Sequence, residues 1–327
     1  MTLKVITTAC SLAMAAMFGA TPAYAQFSGN TIKIGIVTDM SGVYADIDGA
    51  AGVAMVRRAV KDFGGTLDGK KIEVVYADHQ NKADIAASKA REWFDTEGVD
   101  MLIGGTTSST SLAMSDVAKE KKKVFISIGA GTSALTNEQC SPYTIHWAYD
   151  TVALAKGTGG AVVKAGGKTW FFITADYAFG TALQADTSKV VEATGGKVLG
   201  SVKVPLGASD FSSYLLQAQN SGAQILGMAN AGGDTINTIK QANEFGITKK
   251  MKLAGLLLFI TDINSLGLEA TQGMYMTSSW YWNRDAETRA WSQPFFKEFK
   301  RMPTSVQAAD YSATLEYLRA VKAVGTD

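Results

Sequence analysis

Short apolar runs alternate with longer amphipathic stretches over the first half of the chain. Thr31–Val37 (TIKIGIV) reads as a strand. After the polar turn 39–49 come Val53, Val56, Val60 and Phe63, whose 3, 4, 3 spacing places them on one face of a helix ending at Gly64-Gly65. Ile72–Ala77 is a second strand, and the helix after it turns Ala86, Ala90, Trp93 and Phe94 inward. Met101–Ile103 is a third strand, followed by a helix with Leu112, Met114, Val117 and Ala118, and Val124–Ile128 is a fourth. Such alternation predicts a parallel sheet with helices on both faces and right-handed crossovers.

After Tyr143–Tyr149 (YTIHWAY) a helix begins near Val152 and the alternation resumes. Strands are expected at Thr169–Thr174, Lys197–Val204, Ala223–Met228 and Met251–Leu258, with helices over 178–194, 210–220 and 233–245. Phe211, Tyr214, Leu215 and Ala218 fall on one helical face, with Asp210 as its cap. Gly273–Ser278 reads as a further strand. Trp291, Phe295 and Phe299 mark a helix with Pro294 near its start or at a kink, and Ala308–Ala323 is a last helix. The halves share an architecture without an obvious repeat. The expectation is an α/β protein of two doubly wound, parallel-sheet lobes joined by a hinge near Ile145–Thr151 and again near Thr277–Trp282. Residues 26–147 form the first part of one lobe and 148–278 the other, with the last strand of the second open to belong to the second crossing. Residues 279–327 return to the first lobe. A hinge implies a cleft, where ligands sit.

Ligands of parallel sheets bind beyond the carboxyl ends of the strands. The loops predicted there, 39–49, 78–82, 104–111 and 129–134, are polar, glycine-rich or hydroxyl-rich. In Met101–Glu120 (MLIGGTTSSTSLAMSDVAKE), Gly104-Gly105 allow a sharp turn and six hydroxyl residues, Thr106–Ser111, lead into a helix. Helix starts carry unpaired N–H groups and attract anions. Two readings stand: a cradle for a carboxylate, or an over-supplied N-cap. Asp234 follows an apolar run at a helix start, as an N-cap or as partner of a ligand ammonium. Tyr44, Tyr149, Tyr177, Phe179, Trp280, Tyr281 and Trp282 cluster at such loops and suggest an apolar-walled pocket.

Composition narrows the function. Hydrophobic residues make up 46% and charged residues 19% of 327 residues, enough for a sizeable core. A net charge of +1 gives no reason to expect nucleic acid or anionic membrane as partner. Lys119–Lys123 is the solvated end of a helix. Residues 1–25 have Lys4, an apolar stretch Val5–Ala20 and Ala23-Tyr24-Ala25, the pattern of a signal peptide cut before Gln26, so the mature protein is expected to be exported and soluble. Cys140 is then the one cysteine left. Gly129–Ala134 has a GxGxxA look but ends the fourth strand instead of the first. His79 and His146 lie far apart, so no metal cluster is spaced for ligation, and no GxSxG elbow appears. No cofactor, no metal and no enzyme activity are expected.

The order IKIGIVTDMSGVYADIDG, VVYADHQNKADIA, LIGGTTSSTSLAMSD, VFISIGAGTSALT, FFITADYAFG and NAGGDTINTIKQANEFG resembles the periplasmic branched-chain amino acid (Leu/Ile/Val) binding proteins of ABC importers, which have the type I solute-binding fold. The resemblance implies a monomeric binding protein that closes on a small ligand and hands it to a membrane ABC permease. It implies that Ser108 (with Ser109 beside it), Ala130 and Thr132 hold the ligand carboxylate. Tyr44 matches a first-loop aromatic, Phe179 or Tyr177 a second-lobe tyrosine, and Asp234 the acid that binds the ammonium. Trp280 is expected beside the ligand side chain. The chain departs from the family pattern in having Asp234 where glutamate is usual, in lacking the first-lobe disulfide, and in the aromatic run SWYW at 279–282. These departures point to a carboxylate-bearing ligand, an amino acid or an aromatic acid or amide, more than to leucine itself. The family's longer C-terminus implies that a segment is missing here, which could hold a partner for Cys140. A ligand sensor of the same fold is the alternative, and a nucleotide-dependent enzyme built on 129–134 is a third reading.

Overall fold

The computed structural model describes residues 27–326; the signal-peptide expectation lies outside them. Two sheets organise the chain. The first contains β1 (Thr31–Thr38), β2 (Thr66–Leu67), β3 (Lys70–Asp78), β4 (Met101–Gly104), β5 (Val124–Ser127) and β6 (Thr144–His146) in the order β2-β3-β1-β4-β5-β6. All its pairs are parallel except the short β2–β3 hairpin. Ile34 and Ile36 of β1 pair with Met101 and Ile103 of β4, and all four are fully buried. Helices α1 (Gly49–Phe63), α2 (Ala83–Asp95) and α3 (Ser108–Lys121) connect the strands.

Beyond β6 come α4 (Thr151–Leu154) and α5 (Gly160–Lys164), joined by a π-helical turn. The second sheet has β7 (Thr169–Ala175), β8 (Lys197–Val204), β9 (Ile225–Ala229) and β10 (Lys252–Gly255) in the order β10-β9-β7-β8, all parallel. Its helices are α6 (Ala178–Ala193), α7 (Ser212–Asn220), α8 (Gly232–Glu244), α9 (Ile260–Leu266) and α10 (Leu268–Thr271). Gly273–Ser278 is irregular chain and not a strand. The adjacent Tyr275 and Met276 are both exposed, so the apolar run has no sheet to bury in. Thr277 reaches Thr158 through a 2.9 Å hydroxyl contact, and three residues later Trp280 packs edge-on to Trp291. There the chain leaves the second sheet for α11 (Ala286–Phe299) and α12 (Ser305–Val324), which pack on α1. α11 runs through Pro294, and its start is capped by Asp285, whose Oδ1 accepts the Thr288 amide at 2.8 Å. Asp210 sits one residue outside the α7 cap and accepts the Ser212 amide at 2.8 Å.

Each sheet has a point where the strand order reverses: between β1 and β4 in the first, between β7 and β9 in the second. Neighbouring loops leave in opposite directions there, opening a crevice at the strand ends. These two crevices face each other.

Candidate functional site

The first crevice is built by the loop after β1 and the turn after β4. Gly104 and Gly105 have φ of +110° and +71°. A methyl on Gly105 would lie 2.9 Å from Met114 and 3.1 Å from Phe125, so only glycine admits both the turn and the packing beneath it. The turn delivers Thr106 and Thr107 to the start of α3. Thr107 is the N-cap and forms a reciprocal capping box with Thr110. Ser111 donates to the Gly105 carbonyl at 2.8 Å and meets Ser127 at 2.9 Å. Thr106 turns its hydroxyl back to Thr38 (2.7 Å) and Asp48 (3.2 Å).

Most of the hydroxyl run therefore serves the fold. Ser108 is the exception: it is fully buried, lines the pocket, and its Oγ accepts the Thr132 amide at 3.2 Å, which leaves its own proton to donate. It stands at the first turn of α3, where backbone N–H groups lack intrahelical partners.

The pocket takes Tyr44, Ile47, Thr106, Ser108, Gly129 and Gly131 from the first lobe. Tyr149, Tyr177, Phe179, Ala231, Leu257 and Phe259 close it from the crossing segment and the second lobe. Tyr149 donates to the Gly129 carbonyl at 2.7 Å. The Tyr44 and Tyr177 hydroxyls meet at 2.8 Å, one from each lobe. A second bond between lobes runs from the Gly233 amide to the Val43 carbonyl at 3.3 Å. The space between these residues is narrow, about 260 Å³ including the part that opens to solvent. Burial raises the phenol pKa values of Tyr44, Tyr149 and Tyr177, so all three stay protonated donors. Among the described residues no lysine, arginine or histidine lines the pocket.

The remaining expected residues stand further off. Ser109 is half-buried beside Ser108 and does not line the pocket. The Ala130 carbonyl is held by His146 Nε2 at 2.7 Å, behind the loop. Thr132 contributes its amide to Ser108, and its hydroxyl accepts the Ala134 amide at 3.4 Å. Asp234 is buried in the first turn of α8, where both its oxygens accept the Gly207 amide at 3.1 and 3.2 Å. Burial pushes its pKa up to about 6, and its charge is felt by Tyr44 and Tyr177. Trp280 is not brought to the cleft: it packs against Trp291 in an outer groove that Trp147 and Tyr311 also line. The aromatic run at 279–282 belongs to the return crossing, and its Trp280 braces α11. His79 is fully buried behind Thr106, and burial pulls its pKa down to about 4. Cys140 is exposed and the one free cysteine among the described residues. No group of acids, histidines and cysteines among those residues is arranged to hold a metal, and no helix there is long and apolar enough to cross a membrane.

Sequence missed Ile47, Leu257 and Phe259. Leu256–Leu258 reads as the tail of the strand Met251–Leu258, but β10 ends at Gly255 and the apolar run continues into the cleft through Phe259. Its excess length over a four-residue strand was the available signal.

The pattern of the periplasmic binding protein family matches residues 31–327. Leu/Ile/Val-binding protein homolog 6 of Brucella melitensis biotype 1 is 26% identical over 261 residues, 77% of this chain and 64% of its own length, so the match spans less than two thirds of that relative. A solved periplasmic binding protein of Burkholderia mallei is 66% identical and superposes with a TM-score of 0.90, covering 91% of this chain and 80% of that one. A solute-binding protein of an ABC transporter from Rhodopseudomonas palustris BisB5, solved with 3,4-dihydroxybenzoic acid, is 26% identical with a TM-score of 0.82, covering 91% and 82%.

Proposed function

Because the chain belongs to the periplasmic binding protein family, we propose that it captures a small carboxylate-bearing molecule between its lobes in the periplasm and delivers it to a membrane ABC permease. The observation that carries this reading is Ser108. Its hydroxyl, at the start of α3 beside the loop Gly129–Thr132, accepts the Thr132 amide, has a proton left to donate, and lines a chamber walled by five aromatic rings, those of Tyr44, Tyr149, Tyr177, Phe179 and Phe259. A hydroxyl, a helix start and loop amides suit an anion without a cationic side chain. The rings suit a flat ligand body. Asp234 already accepts the Gly207 amide and does not line the pocket, which favours an aromatic acid over an amino acid. The R. palustris protein with its bound dihydroxybenzoic acid supports the same class.

No chemistry is required of such a protein. Its mechanism is a difference in ligand affinity between open and closed states. The test is calorimetry of the mature chain with benzoate, 4-hydroxybenzoate, 3,4-dihydroxybenzoate, leucine, valine and phenylalanine. Saturable heat with one or more of the aromatic acids, weaker with the amino acids, is the expected result. Heat from the aliphatic amino acids alone would overturn the aromatic assignment. No heat from any of them would defeat the carboxylate reading.

A further inference from the structure

A buried carboxyl pair lies behind the pocket wall and is not used in the account above. Asp48 immediately precedes α1, Asp310 lies in the second turn of α12, and both are fully buried. Asp48 Oδ1 and Asp310 Oδ2 converge on the space that Gly52 leaves; a methyl at Gly52 would sit 2.8 Å from Asp310 Oδ2 and collide with Asp48. Asp48 Oδ2 accepts the Thr38 hydroxyl at 2.6 Å and the Thr106 hydroxyl at 3.2 Å. Asp48 Oδ1 and both Asp310 oxygens have no donor from the described chain.

Ionised carboxylates are acceptors only, so two of them facing each other out of water repel and leave lone pairs unsatisfied. One proton converts an acceptor into a donor, joins two of the three unpaired oxygens and removes one of the two charges. The groups packed around the pair supply no alternative. Asp39 faces it from the loop after β1 and adds negative charge. His79, from the loop after β3, lies beyond Thr106 and is neutral near pH 7 because burial lowers its pKa to about 4. Tyr149, on the crossing segment, is a neutral phenol, and Gln307 of α12 reaches the Asp48 backbone carbonyl at 3.3 Å. Among the described residues no lysine or arginine forms an ion pair with Asp39, Asp48 or Asp310.

We infer that Asp48 and Asp310 share a single proton in the folded protein, and that this acid pair is the positioning group that ties Thr106 of the pocket wall to the C-terminal helix. The proton requires nothing of the ligand; the positioning role rests on the ligand reading above. Burial raises the proton affinity of both acids, most of all Asp310.

Urea unfolding of wild type and D310N between about pH 5 and 8 reads the proton directly. The unfolded chain releases it near the ordinary aspartate pKa, so over this window the wild-type unfolding constant rises about tenfold per pH unit more steeply than that of D310N. Equal slopes overturn the proposal. If D310N does not fold, D48N carries the same comparison. Infrared spectra of the wild type in D₂O near neutral pH should also show the carbonyl stretch of a protonated carboxylic acid, lost in whichever variant folds; a band that persists unchanged, or no band at all, overturns it. For the positioning role the probe is 4-hydroxybenzoate. D48A should weaken its binding by about tenfold or more, and D48N, which keeps an acceptor for Thr38 and gives Asp310 a donor, should restore it to within about threefold. Equal loss in D48A and D48N, or none in D48A, removes the positioning role. If the wild type itself binds none of the carboxylates, the ligand reading and the positioning role fall together, while the slope and the infrared band still judge the proton.

Discussion

At the scale of single residues, the six hydroxyls Thr106–Ser111 illustrate how one composition serves two purposes. Thr107 and Thr110 cap a helix, Ser111 ties that helix to β5, and Thr106 reaches back to Asp48. Ser108 alone both lines the pocket and keeps a proton to give. Replacing Ser108 by alanine should therefore cost roughly 1–3 kcal/mol of binding to a carboxylate, the range for a lost charge-assisted hydrogen bond, with the fold intact. Calorimetry on folded S108A checks this; unchanged affinity would remove Ser108 from the site. Asp234 carries a prediction about pH. Its folded pKa of about 6 lies above the ordinary aspartate value, so folding takes up a proton between about pH 4 and 6. The sign follows: Asp234 costs nothing below pH 4, and its cost grows as pH rises through 6, to about 3 kcal/mol at neutral pH. D234N has no proton to take up, so urea titrations should show it losing about that much less stability than wild type between pH 4 and 7.

Among the elements, periodicity located nearly every long strand and helix, because Val53/Val56/Val60 and Ile34/Ile36 bury a face that only one local geometry can offer. It failed where burial and polarity part company. The buried side of α3 runs through Ser108, Ser111 and Ser115, while Leu112 stays half-exposed, so the apolar pattern marks only part of the face that packs. Gly273–Ser278 failed in the opposite sense: a short apolar run, Met274–Met276, without a neighbouring strand to pair with. Of the pocket, the loops were legible and the contents were not. Tyr44, Ser108, Tyr177 and Phe179 reach it, but Trp280 packs outside and Phe259 enters unannounced, because local sequence does not say where a chain turns after leaving a sheet. The turn before α3 is the element most sensitive to change. G105A forces a side chain into the left-handed region and against Met114 and Phe125. It should lower stability by roughly 2–4 kcal/mol, measured by urea unfolding.

For the whole molecule, both reversal points matter only because they face each other, and the contact between lobes is made by few groups. Gly232 has a φ of +57°, and a methyl there would approach the Val43 carbonyl at 2.7 Å and the Tyr44 ring at 2.9 Å. G232A should hold the lobes apart. Small-angle scattering should report a larger radius of gyration than wild type, and ligand affinity should fall with it; an unchanged radius would show that closure tolerates the added carbon. The phenol-to-phenol bridge between Tyr44 and Tyr177 has a consequence of its own for selectivity. A ring that slid between those oxygens would interrupt the pairing they make with each other, and would have to return something equivalent. A guest with a hydroxyl at its far end can answer both oxygens, whereas one with a methyl group strands them in a dry place. On the proposed reading, 4-methylbenzoate should therefore bind more weakly than 4-hydroxybenzoate in calorimetry, despite its similar outline.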